Sequence, residues 1–390
     1  MLLTEGSSPV LIGNKVESAI TQHMSKDFIF TAEYNGEVVD IKNNIMIIKY
    51  ENGMFASVDL NPQIKKNASS GFFIETQMTT KLKVGDKFSK GEVIANNPLA
   101  FTKDKDSLSA SMNLGVLTKV AVVANYDIYE DSTPVTQKMA NKMATTMIMD
   151  KPVALTKNTF VEYIVNVGDT VNVGDPLIKF DETPDDPDVI NFFASMRETM
   201  KGEADELMNA SMTSIKSKYH GTIADIKIYT TVEVDELSES LQKIVKDYQS
   251  KIKKNISVLN KYKNPDDNEF YKCGQMITES PEVVKTDYQG MLKGETVNEG
   301  VLIVFYIKFK DIMKKGDKLA HYSALKGICS HVIKEGQEPY SEYRPDEEIS
   351  TIIAPGALLA RKVSSVIPIM FGNKLLIEAK RHLKEMYLGK

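Results

Sequence analysis

Gly316-Asp317-Lys318-Leu319-Ala320-His321-Tyr322-Ser323-Ala324-Leu325-Lys326-Gly327 carries the strongest local signal in this chain. A Gly-Asp pair marks a tight turn, because glycine tolerates φ > 0 and the Asp carboxylate bonds the turn backbone. Two lysines follow, eight residues apart and ahead of a second glycine. Even spacing puts both ammonium groups on one side of an extended segment, where they can converge on one polyanion. The same Gly-Asp element recurs in Val84-Gly85-Asp86 and Val167-Gly168-Asp169, each continuing to a further glycine, Gly91 and Gly174. Each copy predicts strand, tight turn, strand. The copies keep no fixed period, so they are local recurrences rather than a tandem repeat.

Working outward, most of the chain reads as short strands. Phe28–Tyr34 and Glu37–Ile41 flank Asn35-Gly36 and predict a hairpin. Ile45–Tyr50 is a β-branched run closed by Asn52-Gly53. Three helices are expected. Asn191–Ile215 is rich in Phe and Met. Leu237, Leu241, Ile244, Val245, Tyr248 and Ile252 follow helical spacing, and Lys374–Tyr387 is amphipathic and basic. Asn264–Asn268 is a loop. The expected class is α+β and β-rich.

Composition bounds the function. The chain has 390 residues, enough for two or more compact modules. No apolar run approaches the ~18 residues of a membrane span. The first residues lack a basic region followed by an apolar core, so no signal peptide is expected. Cys273 and Cys329 are too few for a disulfide framework or a zinc site, which points to a reducing compartment. A net charge of −5 argues against a free-standing nucleic-acid binder but not against a subunit lining one wall of a channel. The charge is uneven. Val301–Ser330 carries six lysines against Asp311 and Asp317, and Arg361–Lys390 carries seven Lys/Arg against Glu378 and Glu385. The acidic run Asp181, Glu182, Asp185, Asp186 and Asp188 has two prolines and no EF-hand glycine, and reads as a solvated loop. The five histidines show no ligand spacing.

The Gly-Asp-Lys…Lys-Gly segment resembles the GDK…KG signature of the β (second-largest) subunit of multisubunit RNA polymerases, and other landmarks follow in that subunit's order. The strands around Asn35-Gly36 are similar to its "dG.V..V" strands. Asn67–Gln77 and Lys83–Ala95 resemble "Q.P.V..GD.V.KGQvlAd". Asn113-Leu114-Gly115 through Val120-Ala121, then Asn125–Asp131, resembles "LGqN..VAfmpw.GYN.EDA". Ser217–Tyr229 looks like the strand that opens the flap. Gly336–Glu342, with Pro339-Tyr340, resembles "mPy", and Ala354–Arg361 is similar to "NPlGvpSRM". A Gly-Asp turn alone means little, but these pieces in order over residues 28–361 are specific.

The resemblance implies a double-psi β-barrel with an inserted flap and additional hairpin modules. It divides the chain into a hybrid-binding β-rich region (1–112), the first part of the barrel with a connecting helix (113–200), a flap-like insertion (201–298), and the second part of the barrel with a C-terminal helix (299–390). It implies that Lys318 and Lys326 contact the RNA 3′ end and the incoming NTP during nucleotidyl transfer. It places Glu130 and Asp131 beside nucleotide-bound magnesium, Arg361 on nucleotide phosphates and Gln77 near RNA. The primary Mg²⁺ is expected on a β′-like partner, since no Asp-x-Asp-Gly-Asp loop is present, and that absence also argues against a self-sufficient two-barrel enzyme. Expected partners are the other polymerase subunits (the β N-terminal part and β′ parts), DNA template, RNA, NTPs, and a promoter-specificity factor at 201–298, with no membrane.

This sequence departs from the family between the lysines, where Gly-Arg-His-Gly-Asn is usual and His321–Leu325 stands. The family's N-terminal lobes and its "GGqR.GEMEvWAL" clamp motif have no counterpart. The expectation is a split β subunit like those of giant-bacteriophage polymerases, acting in the cytoplasm of an infected bacterial cell or from a virion. The alternative from another class is a carrier or scaffold of biotinyl/lipoyl type, suggested by the hairpins at Val167–Val171 and Gly174–Leu177. A carrier needs an exposed lysine at a hairpin tip, and neither Lys138-Met139 nor Lys142-Met143 has the right flanks.

Overall fold

The structure, a computed structural model, describes residues 3–12, 28–66, 73–103, 108–124, 126, 128–181, 212–262, 299–322, 325–361 and 365–389. The N-terminal part consists of β1 (Ser7–Pro9), β2 (Ile29–Thr31), β3 (Gly36–Lys42), β4 (Ile45–Tyr50), β5 (Phe55–Asp59), β6 (Gln63–Lys66), β7 (Phe73–Thr76), β8 (Lys87–Phe88), β9 (Val93–Asn96), β10 (Phe101–Lys103) and β11 (Ala110–Val116). Strands β5-β4-β3-β8 make an antiparallel sheet. Its inner face buries Val38, Met46, Ile48, Tyr50 and Val58 with Phe30 and Phe88.

The hairpin expected across Asn35-Gly36 is not formed. Strand β2 pairs with β9, and β3 turns back into β4 through Asn43-Asn44, both at positive φ (53° and 57°). Two consecutive left-handed residues are what a two-residue hairpin loop demands, and Asn tolerates them. Gly36 is the first residue of β3, where a Cβ would strike the Lys49 carbonyl oxygen and come within 2.8 Å of the Phe88 ring. That glycine serves close packing rather than a turn. Asn52-Gly53 does close β4 onto β5, with Gly53 at φ 85°.

The remaining elements are β12 (Val120–Val122), β13 (Ser132–Thr136), α1 (Gln137–Lys142), β14 (Thr145–Thr156), β15 (Phe160–Ile164), β16 (Thr170–Val171), β17 (Pro176–Asp181), β18 (Thr213–Lys216), β19 (Gly221–Thr230), α2 (Glu239–Leu259), β20 (Gly300–Asp311), β21 (Lys318–His321), β22 (Leu325–Ile333), β23 (Tyr340–Ser341), β24 (Arg344–Glu348), β25 (Thr351–Ile353), α3 (Pro355–Ala360) and α4 (Val366–Leu388). The β-rich class stands. Helices α2 and α4 lie where helical spacing and amphipathicity predict them. Most of the Phe/Met-rich segment expected as a helix over Asn191–Ile215 lies outside the described residues. Its last residues do not continue a helix, because Thr213–Lys216 is β18, paired with β17.

The Gly-Asp turns form a recurring device. Gly85, Gly168 and Gly316 sit at φ 91°, 96° and 96°. The following Asp accepts the amide three residues back: Lys83, Asn166 and Lys314 donate to Asp86, Asp169 and Asp317 at 2.8, 2.8 and 2.9 Å. Each turn is also latched to one residue of a passing strand by two backbone bonds. Gly316 N donates to Cys329 O while Cys329 N donates to Asp317 O, and the same pattern joins Gly168-Asp169 to Ile223 and Gly85-Asp86 to Val38. The Gly174-Asp175 turn repeats it on Ser217.

Strands β14 and β20 pair antiparallel without a break from Thr145↔Asp311 to Thr156↔Gly300, a ribbon roughly 37 Å long at strand rise. Residues 157–299 are inserted in sequence between these two strands, a span that begins ahead of the 201–298 drawn from sequence, and within it β19 runs back along β20 from Thr230↔Val301 to Thr222↔Lys308. Its core packs Val153, Leu155, Leu177, Ile178, Ile223, Ile303 and Phe305 against Leu237, just ahead of α2, and Leu241 and Val245 in its first turns. Past the end of α2, Tyr262 donates to Asp40 at 3.0 Å and packs on Phe55, tying this module to the β3–β5 sheet.

At the near end of the ribbon, β12-β25-β13-β22-β21 form a mixed sheet. β12 runs parallel to β25 and β13 parallel to β22, while β21 and β22 are an antiparallel hairpin. Strands before the ribbon thus interleave with strands after it.

Candidate functional site

Lys318 and Lys326 stand on the two strands of the β21–β22 hairpin rather than on one extended segment. The register pairs Lys318 with Ile328 and Ala320 with Lys326. Residues directly opposite share a face, so Lys318, Ala320, Lys326 and Ile328 face one way. That face is exposed, while Leu319, Leu325, Gly327 and Cys329 on the other are buried. The lysines are diagonal neighbours, about 7–8 Å apart at the backbone. Among the described residues neither holds an ion pair. The turn latch fixes the start of β21, because Gly316 and Asp317 are bonded to Cys329 of β22. Burial raises the Cys329 thiol's pKa, with Asp317 adding to the shift.

The buried side explains Gly327. A Cβ there would lie 2.6 Å from Thr133 Oγ1 and 3.3 Å from His321 Nε2. Thr133 Oγ1 and His321 Nε2 are 3.3 Å apart and fill the space a side chain would need. Burial pulls the His321 pKa down to about 4, so its ring is neutral at pH 7 and adds no charge beside the lysines.

Asp131 and Arg361 come to the same place from two other elements. Ile328 N donates to Asp131 O at 2.8 Å, which docks the start of β13 beside β22. Glu130 precedes it in a turn closed by Ser132 N to Tyr129 O at 2.9 Å. Glu130 adopts φ 48°, a left-handed conformation that costs a side-chain-bearing residue about 1 kcal/mol or more. Arg361 is the C-cap of α3, a short helix started by Pro355 and anchored through buried Ala357 and Leu358. Its guanidinium forms an ion pair with Asp131 and donates to the Lys326 carbonyl at 3.4 Å. Thus Arg361 from α3 and Asp131 from the start of β13 meet beside Lys326 of the double-lysine hairpin, with Glu130 adjacent. Gln77 does not join them. It is exposed after β7, whose Glu75 pairs with Lys308 of β20 at 2.7 Å and whose Phe73 packs on Tyr306 at 5.3 Å.

Sequence reading missed Thr133 and the Asp131–Arg361 pair. The signal for Thr133 was weak: only the smallness of Gly327 hints at a neighbour beneath it. The pair joins positions 230 residues apart.

Asp131 is engaged by Arg361, which leaves Glu130 as one free carboxylate, and no group of three or more His, Cys, Asp or Glu is placed to hold a metal among the described residues. This donor set does not fit a resident magnesium ion. The carrier alternative is not favoured, since Lys138 and Lys142 lie in α1 and not at a hairpin tip. Among the described residues no helix is long and apolar enough to cross a membrane.

The exposed double-lysine hairpin pairs with β13, an earlier strand that begins just after Glu130-Asp131, and the β14–β20 ribbon lies between them in sequence; with the family match below, this is a β-subunit-like component of an RNA polymerase. Residues 109–365 match the family RNA polymerase Rpb2, domain 6, and this chain belongs to that family. The match covers the whole mixed sheet and the insertion, but not Gln77. A search of curated proteins gave no match. Membership implies association with other polymerase subunits in a nucleotidyltransferase complex.

Proposed function

We propose that this chain supplies part of the active centre of a DNA-directed RNA polymerase, with Lys318 and Lys326 binding the RNA 3′ end and the incoming NTP. The observation that carries this reading is the pair of ammonium groups on one exposed face, neither of which holds an ion pair among the described residues. Two like charges this close favour an anion between them. In nucleotidyl transfer the RNA 3′ hydroxyl attacks the α-phosphate and pyrophosphate leaves. Charge builds on phosphate oxygens, and cations already fixed in place stabilise it without reorganising.

Arg361 is the third cation. Its planar fork suits bidentate phosphate contact, and the Asp131 carboxylate and Lys326 carbonyl hold it in orientation. Asp131 thereby acts as a positioning residue, and Glu130 presents a carboxylate at the edge of the site. Gln77 is assigned to RNA farther along. The catalytic Mg²⁺ belongs to a β′-like partner, with the remaining β parts, template DNA and RNA completing the complex. The ribbon-borne module is proposed as the flap and as the contact for a promoter-specificity factor, the mixed sheet as part of a double-psi barrel, and the chain as a split subunit of a phage polymerase working in the infected cell or from the virion.

The test is purification of tagged chain from its native source, subunit identification, and transcription by complexes carrying Lys318→Ala/Lys326→Ala. Recovery of a chain with the metal-binding loop, together with elongation lost at preserved assembly, supports the reading. Unaffected elongation by the variant complex refutes the lysine assignment.

A further inference from the structure

Helix α4 runs for 23 residues, yet Val366 at its first position is its one buried side chain among those described. Leu375, Leu376, Leu383, Met386 and Tyr387 are exposed by 56, 47, 54, 69 and 84%. At 100° per residue they fall, with Ala379, in one sector of the helix, the spacing of a face that packs on something. Contiguous exposed apolar stripes of this kind mark interaction sites.

Charges around the stripe narrow the partner. On one flank both acidic residues of α4 are already used. Glu378 pairs with Arg344 and Arg381 at 2.8 and 2.9 Å, and Glu385 pairs with Arg381 at 3.3 Å. On the other flank Lys380 and Lys384 are exposed, and hold no ion pair among the described residues. The Arg344–Glu378 contact also ties the middle of α4 to β24 of the two-stranded β23–β24 sheet, which helps fix the direction of the helix.

We propose that the apolar stripe of α4 docks into an apolar groove edged by carboxylates on another subunit of the same polymerase. This rests on the reading of the chain as a polymerase subunit. Helix-in-groove recognition uses anchors at this spacing, and acidic groups on the groove rim answer Lys380 and Lys384. A second copy of this chain is the weaker partner, because its own helix offers lysines without free carboxylates. A lipid surface suits a helix with cations on both flanks, and here one flank carries Glu378 and Glu385.

The experiment uses the full chain, tagged and purified with the polymerase, as wild type, Leu376→Glu/Leu383→Glu and Lys380→Glu/Lys384→Glu. All four positions are exposed, and circular dichroism checks that the fold persists. A photo-reactive residue at Tyr387 identifies the neighbour by mass spectrometry. Expected are a tenfold or greater loss of co-purifying subunits for the leucine pair, a smaller loss for the lysine pair, and a crosslink to an Asp/Glu-bordered segment of another subunit. Co-purification by both variants at the wild-type level overturns the inference and leaves the polymerase reading intact. A crosslink to a second copy, or sedimentation with phosphatidylglycerol vesicles that the leucine pair abolishes, also overturns it. Wild-type chain that recovers no polymerase subunit overturns both readings.

Discussion

Gly327→Ala is the sharpest probe of how the site is built. The added methyl would sit 2.6 Å from Thr133 Oγ1 and 3.3 Å from both Thr133 Cβ and His321 Nε2. Thr133 is 2% exposed, on a strand paired to β22, so neither its backbone nor its side chain has room to retreat. Overpacking of this kind costs about 1–3 kcal/mol. Alanine returns about 0.4–1 kcal/mol by restricting the unfolded chain, because Gly327 does not need positive φ. The expected net loss is about 1–2 kcal/mol. Native-state hydrogen exchange reads it locally, at the amides of Ile328 and Cys329, which donate to Asp131 O and Asp317 O. Protection at both should fall by that amount. Thr133→Ala in the same chain removes the clashing oxygen and should recover about 1 kcal/mol, a coupling that distant sites would not show. Protection unchanged or raised in Gly327→Ala, or no recovery in the double variant, would refute the packing argument.

Lys326→Ala should slow elongation on the order of 10²-fold or more, while thermal unfolding of the chain shifts by less than about 0.5 kcal/mol because the side chain is exposed. Asp131→Asn and Arg361→Ala should each cost under about 1 kcal/mol in stability, since their ion pair is roughly one-third exposed. Their effects on nucleotide KM should be non-additive in the double variant. His321 sets a pH dependence. Its folded pKa of about 4 lies below the ordinary 6.5, so between these values the unfolded chain holds a proton that the folded chain refuses. Stability is then full above about pH 7 and falls by up to roughly 2–3 kcal/mol toward pH 4, a slope that His321→Gln should flatten in denaturant titrations. Asp317→Ala removes the acceptor of the Lys314 amide and should lower protection in the β21–β22 hairpin by about 1 kcal/mol, measured by the same exchange experiment.

Local chemistry was the legible part. Gly-Asp turns, the helical spacing of Leu237–Ile252 and the β-branched run at Ile45–Tyr50 all announce themselves within a few residues, and each formed. The Asn35-Gly36 hairpin failed because an Asn-Gly pair signals a turn only if no distant strand competes. Here β9 takes β2, and the apparent turn glycine is consumed by packing against Phe88. The two lysines were placed on one side correctly but for an incomplete reason, since parity along an extended chain and register across a hairpin give the same face. Contacts between Asp131, Thr133 and residues near 321–361 could not be read from spacing, because parallel pairing of β13 with β22 depends on what lies between them.

That intervening length has a consequence for how the chain folds. Before any pairing, bringing β13 to β22 means closing a loop of 188 residues, 137–324. Once β14 and β20 have zipped, only about 21 unpaired residues separate them. The difference in closure entropy is about 2 kcal/mol, and it falls on the step that builds the lysine face. The site sheet should therefore assemble late, after the ribbon and its distal module. A ribosome that has not yet released β20 holds a chain whose earlier strands β12 and β13 are waiting, unpaired, for partners still to be synthesised.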